Sequence, residues 1–223
     1  MRHPNAVHQI DARPVYSWLD RVNRLKQRLE QTPAAGIPEL KMLSETDWLS
    51  VAKAWPLGSD NQNRIALSRL RSLAESKLGR NVEAALKKYL GANGGNFPTD
   101  LGQLQGYFSE PVDSAMLERW QIVPGNNLPG INEGTPVITQ KTAVDDAVDD
   151  RIIIGQYNYV VRGYLNMADL DPVYQAYFDA NPNADGHGLA RTNLLPYAKT
   201  PEQRALVQKF IDEDTLRAEM YGK

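Results

Sequence analysis

The sequence contains no cysteine among its 223 residues. Disulfide bonds, thiolate metal sites and cysteine nucleophiles are therefore excluded. No apolar run approaches the ~20 residues that a membrane-spanning helix requires, so we expect no membrane span in this chain. The N-terminal residues lack the apolar core of a secretory signal. These absences are typical of a soluble protein, and a chain whose export signal or anchor had been removed would share them.

Signatures of catalysis are scarce. The sequence has no G-x-S-x-G nucleophile motif. Its glycine-rich segment 91–95 follows a helical pattern rather than a strand, which is the wrong context for dinucleotide binding. There are only three histidines, and none has a second histidine at useful metal-binding spacing. These absences favour a non-enzymatic protein. The remote alternative is a hydrolase that uses His187, with Asp185 to orient it.

Neither positive nor negative charge predominates, because the chain has 25 basic and 27 acidic residues. The distribution is uneven: residues 1–91 carry 15 basic against 9 acidic side chains, and residues 92–223 carry 10 against 18. The uneven split fits two regions with ordinary solvated faces, or head-to-tail contact between copies. Because acids interrupt the basic residues and no dense basic stripe forms, we expect no nucleic-acid partner.

Helical periodicity dominates the pattern of apolar residues. It predicts helices over about 13–31, after the Ser44 cap, over 61–91, over 172–180 and over 201–220. Two shorter helices are predicted between them, one from a cap at Thr99 or Asp100 to about Phe108 and one from a cap at 111–113 to about Trp120. Strand signals occur only at 136–140 and 151–162, and turn residues predict a loop over 121–135. We expect a predominantly helical α+β fold with a small antiparallel sheet. The predicted units are an N-terminal helical segment, 1–58, and an α+β body, 59–223, in separate or continuous domains.

The first predicted helix carries a regular apolar seam with 3-4-3-4 spacing. Two heptads are too few to prove a coiled coil, so two interpretations stay open. The seam docks on its own domain, or it binds a protein partner or a second copy. Its members are Val15, Trp18, Val22, Leu25 and Leu29.

Two stretches of the chain, 89–122 and 177–211, repeat nearly the same pattern. The first copy begins with Tyr-Leu and the second with Tyr-Phe. In both, Ala-Asn and a loop follow, and then, in this order, a leucine, a tyrosine, a proline and a large apolar residue. Tyr107 matches Tyr197, and Trp120 matches Phe210. A repeated helix–turn–helix pattern predicts duplicated packing units, so we expect these aromatics to fill the interior.

The sequence Asn-Gly-Gly-Asn-Phe-Pro-Thr-Asp-Leu-Gly-Gln-Leu at 93–104, after a long helix, resembles the pattern of type IV pilin-like proteins and type II secretion pseudopilins. The same phrase occurs in bacterial proteins of unassigned function, and the likeness lies mainly in 61–123. The resemblance implies a long helix packed on a small sheet, and an assembly role in a bacterial envelope or secretion system. An envelope or secreted location would follow. The apolar N-terminal assembly helix of that family is missing here.

An acidic run, 145–150, is the candidate metal site. Clustered carboxylates on a loop suit Ca²⁺, and the resemblance to pseudopilins, which hold calcium near their sheet, adds to this. The spacing is not that of an EF-hand. A solvated acidic turn and no cofactor is the simpler expectation; the calcium hypothesis assigns Asp146 and Asp150 as ligands.

Tyrosines are dense near the second predicted strand region. Tyr157, Tyr159 and Tyr164 could form an exposed face that binds a small ligand, a peptide or a glycan. The favoured function remains a non-enzymatic interaction or assembly protein, with ligand binding through this tyrosine-rich region as the alternative.

Overall fold

The computed structural model describes residues 13–125, 128, 134–164, 167–184 and 189–221. Within them the chain is predominantly helical with one small antiparallel sheet, so the predicted α+β class is confirmed. The α-helices are α1 (Arg13–Gln31), α2 (Glu45–Ala54), α3 (Asp60–Ala92), α4 (Ser114–Leu117), α5 (Asp171–Ala180) and α6 (Pro201–Tyr221). The strands are β1 (Trp120–Pro124), β2 (Pro136–Gln140), β3 (Asp150–Ile154) and β4 (Tyr159–Gly163).

Local capping sets the ends of the predicted helices. The Ser44 hydroxyl accepts a hydrogen bond from the Asp47 amide, while the Asp47 carboxylate accepts one from the Ser44 amide, so a capping box starts α2. Ser59 caps α3 through the Gln62 amide. At its far end α3 stops where Gly94 adopts a positive φ of 63° that favours glycine.

The sheet has the strand order β1-β2-β3-β4, with every neighbouring pair antiparallel. Its first strand corrects the sequence interpretation, which continued a helix to Trp120 and made 121–135 a loop. Trp120 begins β1, and Ile122 pairs with Ile138 of β2. The helix α4 ends earlier, at Leu117. A strand needs a partner to form, and the turn residues that predicted the loop begin only at Pro124.

Three main apolar clusters divide the described core, and α3 belongs to two of them. Its N-terminal half packs with α1 and α2, where Leu67 and Leu70 join Val22 and Trp48. Its C-terminal half packs on the sheet through residues such as Leu78 and Leu86. The third cluster joins α5 and α6. The long helix therefore packs against the N-terminal helical segment, 1–58, as well as against the sheet.

Gly79 allows α3 to approach the sheet closely without interrupting the helix. A Cβ at this position would lie 2.8 Å from the Tyr159 hydroxyl oxygen and 3.3 Å from a methyl carbon of Ile152. The glycine is therefore required by packing rather than by backbone conformation.

The two repeated stretches share a local structure up to their prolines. In each, an asparagine after a helix donates its side-chain amide to the preceding helix and to a tyrosine hydroxyl: Asn93 to Tyr107 at 3.3 Å, and Asn181 to Tyr197 at 2.8 Å. The tyrosines lie in matching seven-residue 3₁₀ helices, Leu101–Tyr107 and Arg191–Tyr197.

After the prolines the two copies diverge. The first continues into the short α4 and then β1, whereas the second continues into the single helix α6. The matched aromatics Trp120 and Phe210 are nevertheless both buried, in separate clusters. The shared part of the repeat is the turn that joins one helix to the next packing unit.

A buried ionic layer fixes α3 against the segments around it. Arg71 and Asp149, both almost fully buried, form an ion pair of 2.6 Å. Arg119 bridges two buried carboxylates, that of Glu39 at 2.8 Å and that of Glu75 at 3.0 Å. Desolvation raises the pKa of Glu75 to about 7, although Arg119 opposes the shift.

Candidate interaction surface

The apolar seam of α1 is placed against the chain's own core over its described part. Val22 and Leu25 are buried between α1, α2 and α3, and Leu29 packs on the same cluster. Trp18 is half-buried beneath the ammonium group of Lys53. The Val15 side chain lies outside the described residues. The described part of the seam therefore packs within the chain, and partner binding through the seam stays a prediction.

The three candidate tyrosines have different environments. Tyr157 is at the tip of the β3–β4 hairpin and is 90 % exposed. Tyr159 is half-buried against α3, and burial raises the pKa of its hydroxyl. Tyr164 stacks with the guanidinium of Arg151, whose centre lies 4.4 Å from the ring. The structure thus distributes them over the tip, the α3 side and the end of the hairpin.

The acidic run lies in the turn between β2 and β3, where its carboxylates meet basic side chains of helices α3 and α6. Asp146 pairs with Lys209, and Asp150 accepts a hydrogen bond from Ser72 at 3.1 Å. Asp145 pairs with Arg64. The described residues include no group of three or more metal-ligating side chains placed to hold a metal ion. Calcium binding by Asp146 and Asp150 stays a prediction.

The remote catalytic pair, His187 and Asp185, lies outside the described residues. In the described part of the chain, no helix combines the length and apolarity needed to cross a membrane.

An open apolar groove of about 360 Å³ runs between α2 and α3. Val51 and Ala54 of α2, with Trp55 directly after the helix, form one wall. Leu73 of α3 forms part of the other and is 38 % exposed. Large apolar side chains at a groove lose contact with water when a partner binds there.

The outer edge of the sheet lies beside the α3 residues that line the groove, on their other side. Ser76 accepts a hydrogen bond from the Tyr159 hydroxyl at 3.5 Å, and Ser72 donates to Asp150, the partner of Gly163 in the β3–β4 register. The α3 residues that line the groove therefore also contact the β3–β4 hairpin.

The hydrogen-bond phase of the hairpin determines which backbone groups of β4 face outward. The Gly155 amide donates to the Asn158 carbonyl, so Val160 and Arg162 bond to β3 in the alternating antiparallel pattern. The amide of Ile152 independently confirms this phase, because it points away from β4 and donates to Gln140. The N–H and C=O groups of Tyr159, Val161 and Gly163 therefore point away from the sheet.

Space beside this strand is open. Val161 is 48 % exposed, and a Cβ at Gly163 would meet no atom within 4 Å. Among the described strands, β4 pairs only with β3. At the opposite edge, β1 contacts the 3₁₀ helix Leu101–Tyr107. We name the α2–α3 groove, the α3 stripe 69–80 and the outer edge of β4 together the edge surface.

Positive charge flanks the edge surface at both ends of β4. The Arg80 guanidinium lies over the Tyr159 ring at 5.7 Å, at the start of the strand. Arg69 lies 4.0 Å from Asp150, beside the end of the strand. Both arginines are exposed. The surface combines an apolar centre, a strand edge that is unpaired among the described strands, and an arginine at each end, of which Arg69 shares its charge with Asp150.

Sequence reasoning did not find this surface. Helical periodicity grouped Leu73 with the buried face of α3, and the β-branched run identified Val161 only as part of a strand. The available signal was the stripe of arginine and serine around Leu73, which is more polar than a fully buried helix face.

Comparison of the chain with protein-family models, with curated proteins and with solved structures finds no match.

Proposed function

We propose that this protein is a non-enzymatic interaction or assembly protein that binds another protein through the edge surface. The observation that carries the proposal is the outward strand edge of β4 beside exposed apolar side chains. Val161 on the strand and Leu73 on α3 are among the few large apolar residues of the described chain that are exposed. The unpaired N–H and C=O groups of an edge strand form a template on which another chain can pair.

The edge surface is favoured over the α1 seam as the partner site. Val22 and Leu25 are already buried by α2 and α3, so using them for a partner would require α1 to detach from the core. The edge surface requires no such opening. A surface that is formed before binding avoids the cost of that rearrangement.

The bacterial envelope or secretion context of the proposal comes from the pilin-like pattern at 93–104. In this protein that pattern ends α3 and leads into the 3₁₀ helix Leu101–Tyr107, on the opposite half of α3 from the groove. In this proposal the contact that mediates assembly is the edge surface.

Photo-crosslinking in the native host tests the proposal. A benzophenone amino acid is placed at position 73 or 161 of the full chain. Matched controls carry it at Leu19, a helical leucine that is 47 % exposed, or at Val144, a valine that is 37 % exposed. We expect positions 73 and 161 to capture one and the same protein, and the controls not to capture it.

The substitution Leu73→Lys should abolish the crosslink from position 161, whereas Leu19→Lys should leave it intact. No specific product from positions 73 and 161 would overturn the proposal. A product that forms from position 19 alone would transfer the partner site to α1.

A further inference from the structure

We infer that the partner binds the edge surface as an extended strand added to β4, with the pattern acidic-x-apolar-x-acidic. This inference rests on the proposed function and names the chemistry of the partner. It follows from the backbone phase of β4, the position of the two exposed apolar residues and the charges at the two ends of the strand.

The backbone supplies the first argument. Tyr159, Val161 and Gly163 direct alternate pairs of N–H and C=O groups outward, which is the pattern that one further antiparallel or parallel strand can satisfy. A helix docked in the groove alone would leave these groups without protein partners. An extended segment both satisfies them and reaches the apolar wall.

The apolar centre supplies the second argument. Val161 is the middle residue of the three and lies on the α3 side of the sheet, because its register partner Ile152 packs in the cluster beneath α3. Leu73 is the exposed leucine of the neighbouring stripe. A single apolar side chain at the middle of the added strand would meet both.

The two arginines supply the third argument. Arg69 and Arg80 are eleven residues apart on α3, which corresponds to about 16 Å along the helix. Residues four apart in a strand lie about 13 Å apart and on the same face. Carboxylates placed two residues before and after the apolar centre can therefore reach the two guanidinium groups.

The same charges disfavour a second copy of this chain as the occupant. Pairing β4 with β4 of another copy would bring the arginines of the two copies to the same edge, and like charges there are repulsive. The favoured occupant is a different, acidic chain. We expect the isolated protein not to dimerise through this edge.

A phage-displayed library of random twelve-residue peptides, selected on the full chain, tests the inference. We expect enrichment of acidic-x-apolar-x-acidic sequences. Hydrogen exchange with an enriched synthetic peptide provides the geometric readout: the amides of Tyr159, Val161 and Gly163 should become protected at least tenfold. The amides of Val160 and Arg162, which already bond to β3, should change little.

Two variants separate backbone pairing from charge. Val161→Pro removes one outward N–H and should weaken the peptide about tenfold. Arg69→Glu with Arg80→Glu alters side chains of α3 and removes no backbone N–H or C=O group of β4, and it should change the enriched sequences from acidic to basic. The matched charge control is Arg28→Glu, on an exposed residue away from the edge surface, which should leave the selection unchanged.

The outcomes are distinguishable. Failure to enrich any peptide, or enrichment of peptides that leave the three outward amides unprotected, would overturn the inference. If the crosslinks from positions 73 and 161 nevertheless capture one protein, the proposed function stands and the partner binds as a folded surface. A dimer of the isolated chain that protects these amides would assign the edge to self-pairing and also overturn the inference.

Discussion

The hydroxyl of Tyr159 lies directly over Gly79, so that a methyl group on this glycine would approach the oxygen to 2.8 Å. This contact joins the edge strand of the sheet to the middle of the longest helix. It means that the distance between β4 and α3 is set by the absence of a side chain at one helical position.

Gly79→Ala should therefore destabilise the protein although alanine favours helices. The gain in helix propensity is about 1 kcal/mol, whereas overpacking costs about 1–3 kcal/mol. We expect a net loss of about 1 kcal/mol in urea unfolding. Combining the change with Tyr159→Phe should recover part of the loss, because the closest atom is removed. Equal losses with and without the hydroxyl would show that the Ile152 methyl, at 3.3 Å, limits the approach.

The asparagine–tyrosine hydrogen bonds of the repeat should each contribute to stability. Asn93→Ala and Asn181→Ala remove two hydrogen bonds apiece, and we expect each to lower the free energy of unfolding by about 1–2 kcal/mol. Because the two asparagines contact separate apolar clusters, their effects should be additive.

Phenylalanine variants isolate the hydroxyl groups of the same repeat. Tyr197→Phe should cost more than Tyr107→Phe, since its bond to the asparagine is 2.8 Å rather than 3.3 Å. Tyr157→Phe, on the most exposed tyrosine of the described chain, is the control and should change the free energy of unfolding by less than about 0.5 kcal/mol. A control loss as large as that of Tyr197→Phe would contradict a specific role for the repeat.

The buried pair of Arg71 and Asp149 should be far more sensitive than an exposed pair. Arg71→Met leaves the Asp149 carboxylate buried without its cation, which typically costs about 3–5 kcal/mol. Adding Asp149→Asn should restore part of this, because the amide oxygen can still accept from the backbone. Arg28→Met removes an exposed pair with Asp60 and should cost less than about 1 kcal/mol. Chemical denaturation of the four proteins gives the comparison.

Glu75 should make stability depend on pH between about 4.5 and 7. Its pKa in the folded state is raised from 4.5 to about 7, so the folded protein holds this proton more tightly than the unfolded chain. Stability from this group is present at low pH and is lost as pH rises towards 7, by on the order of 3 kcal/mol. Glu75→Gln should flatten the profile in this window.

Asp47 should act in a separate, more acidic window. Its hydrogen bond with Lys77 lowers the pKa to about 2, so its contribution is lost as pH falls through the range from 3.8 to 2. Unfolding midpoints measured from pH 2 to 8 would resolve the two. If the stability of the Glu75→Gln variant changed with pH between 4.5 and 7 as much as that of the unaltered protein, Glu75 would not be the group responsible for this dependence.

Calcium should leave the thermal midpoint unchanged if the acidic run serves only the fold. Asp146 and Asp150 already engage Lys209 and Ser72, and a cation would have to displace these contacts. The midpoint is measured with calcium and with chelator. A rise with calcium that disappears in Asp146→Asn with Asp150→Asn would instead establish the calcium site, since a ligand of the folded state must raise stability.

Elements whose signals are local could be predicted from the amino-acid pattern alone. Serine caps, helical periodicity and the glycines after Asn93 act within about one turn, so α1, α2, α3 and α6 begin and end close to where the pattern predicts. The β-branched runs located β2, β3 and β4 for the same reason. The asparagine and tyrosine spacing of the repeat was visible because each copy lies within one short segment.

Which of these elements contact one another became known from the folded chain. The strand β1 depends on pairing with β2, and the seam of α1 could be assigned to the core only once α2 and α3 covered it. The exposure of Val161 depends on β4 being the last strand of the sheet. Such contacts join residues far apart in the chain, and local pattern does not specify which distant surface closes against which.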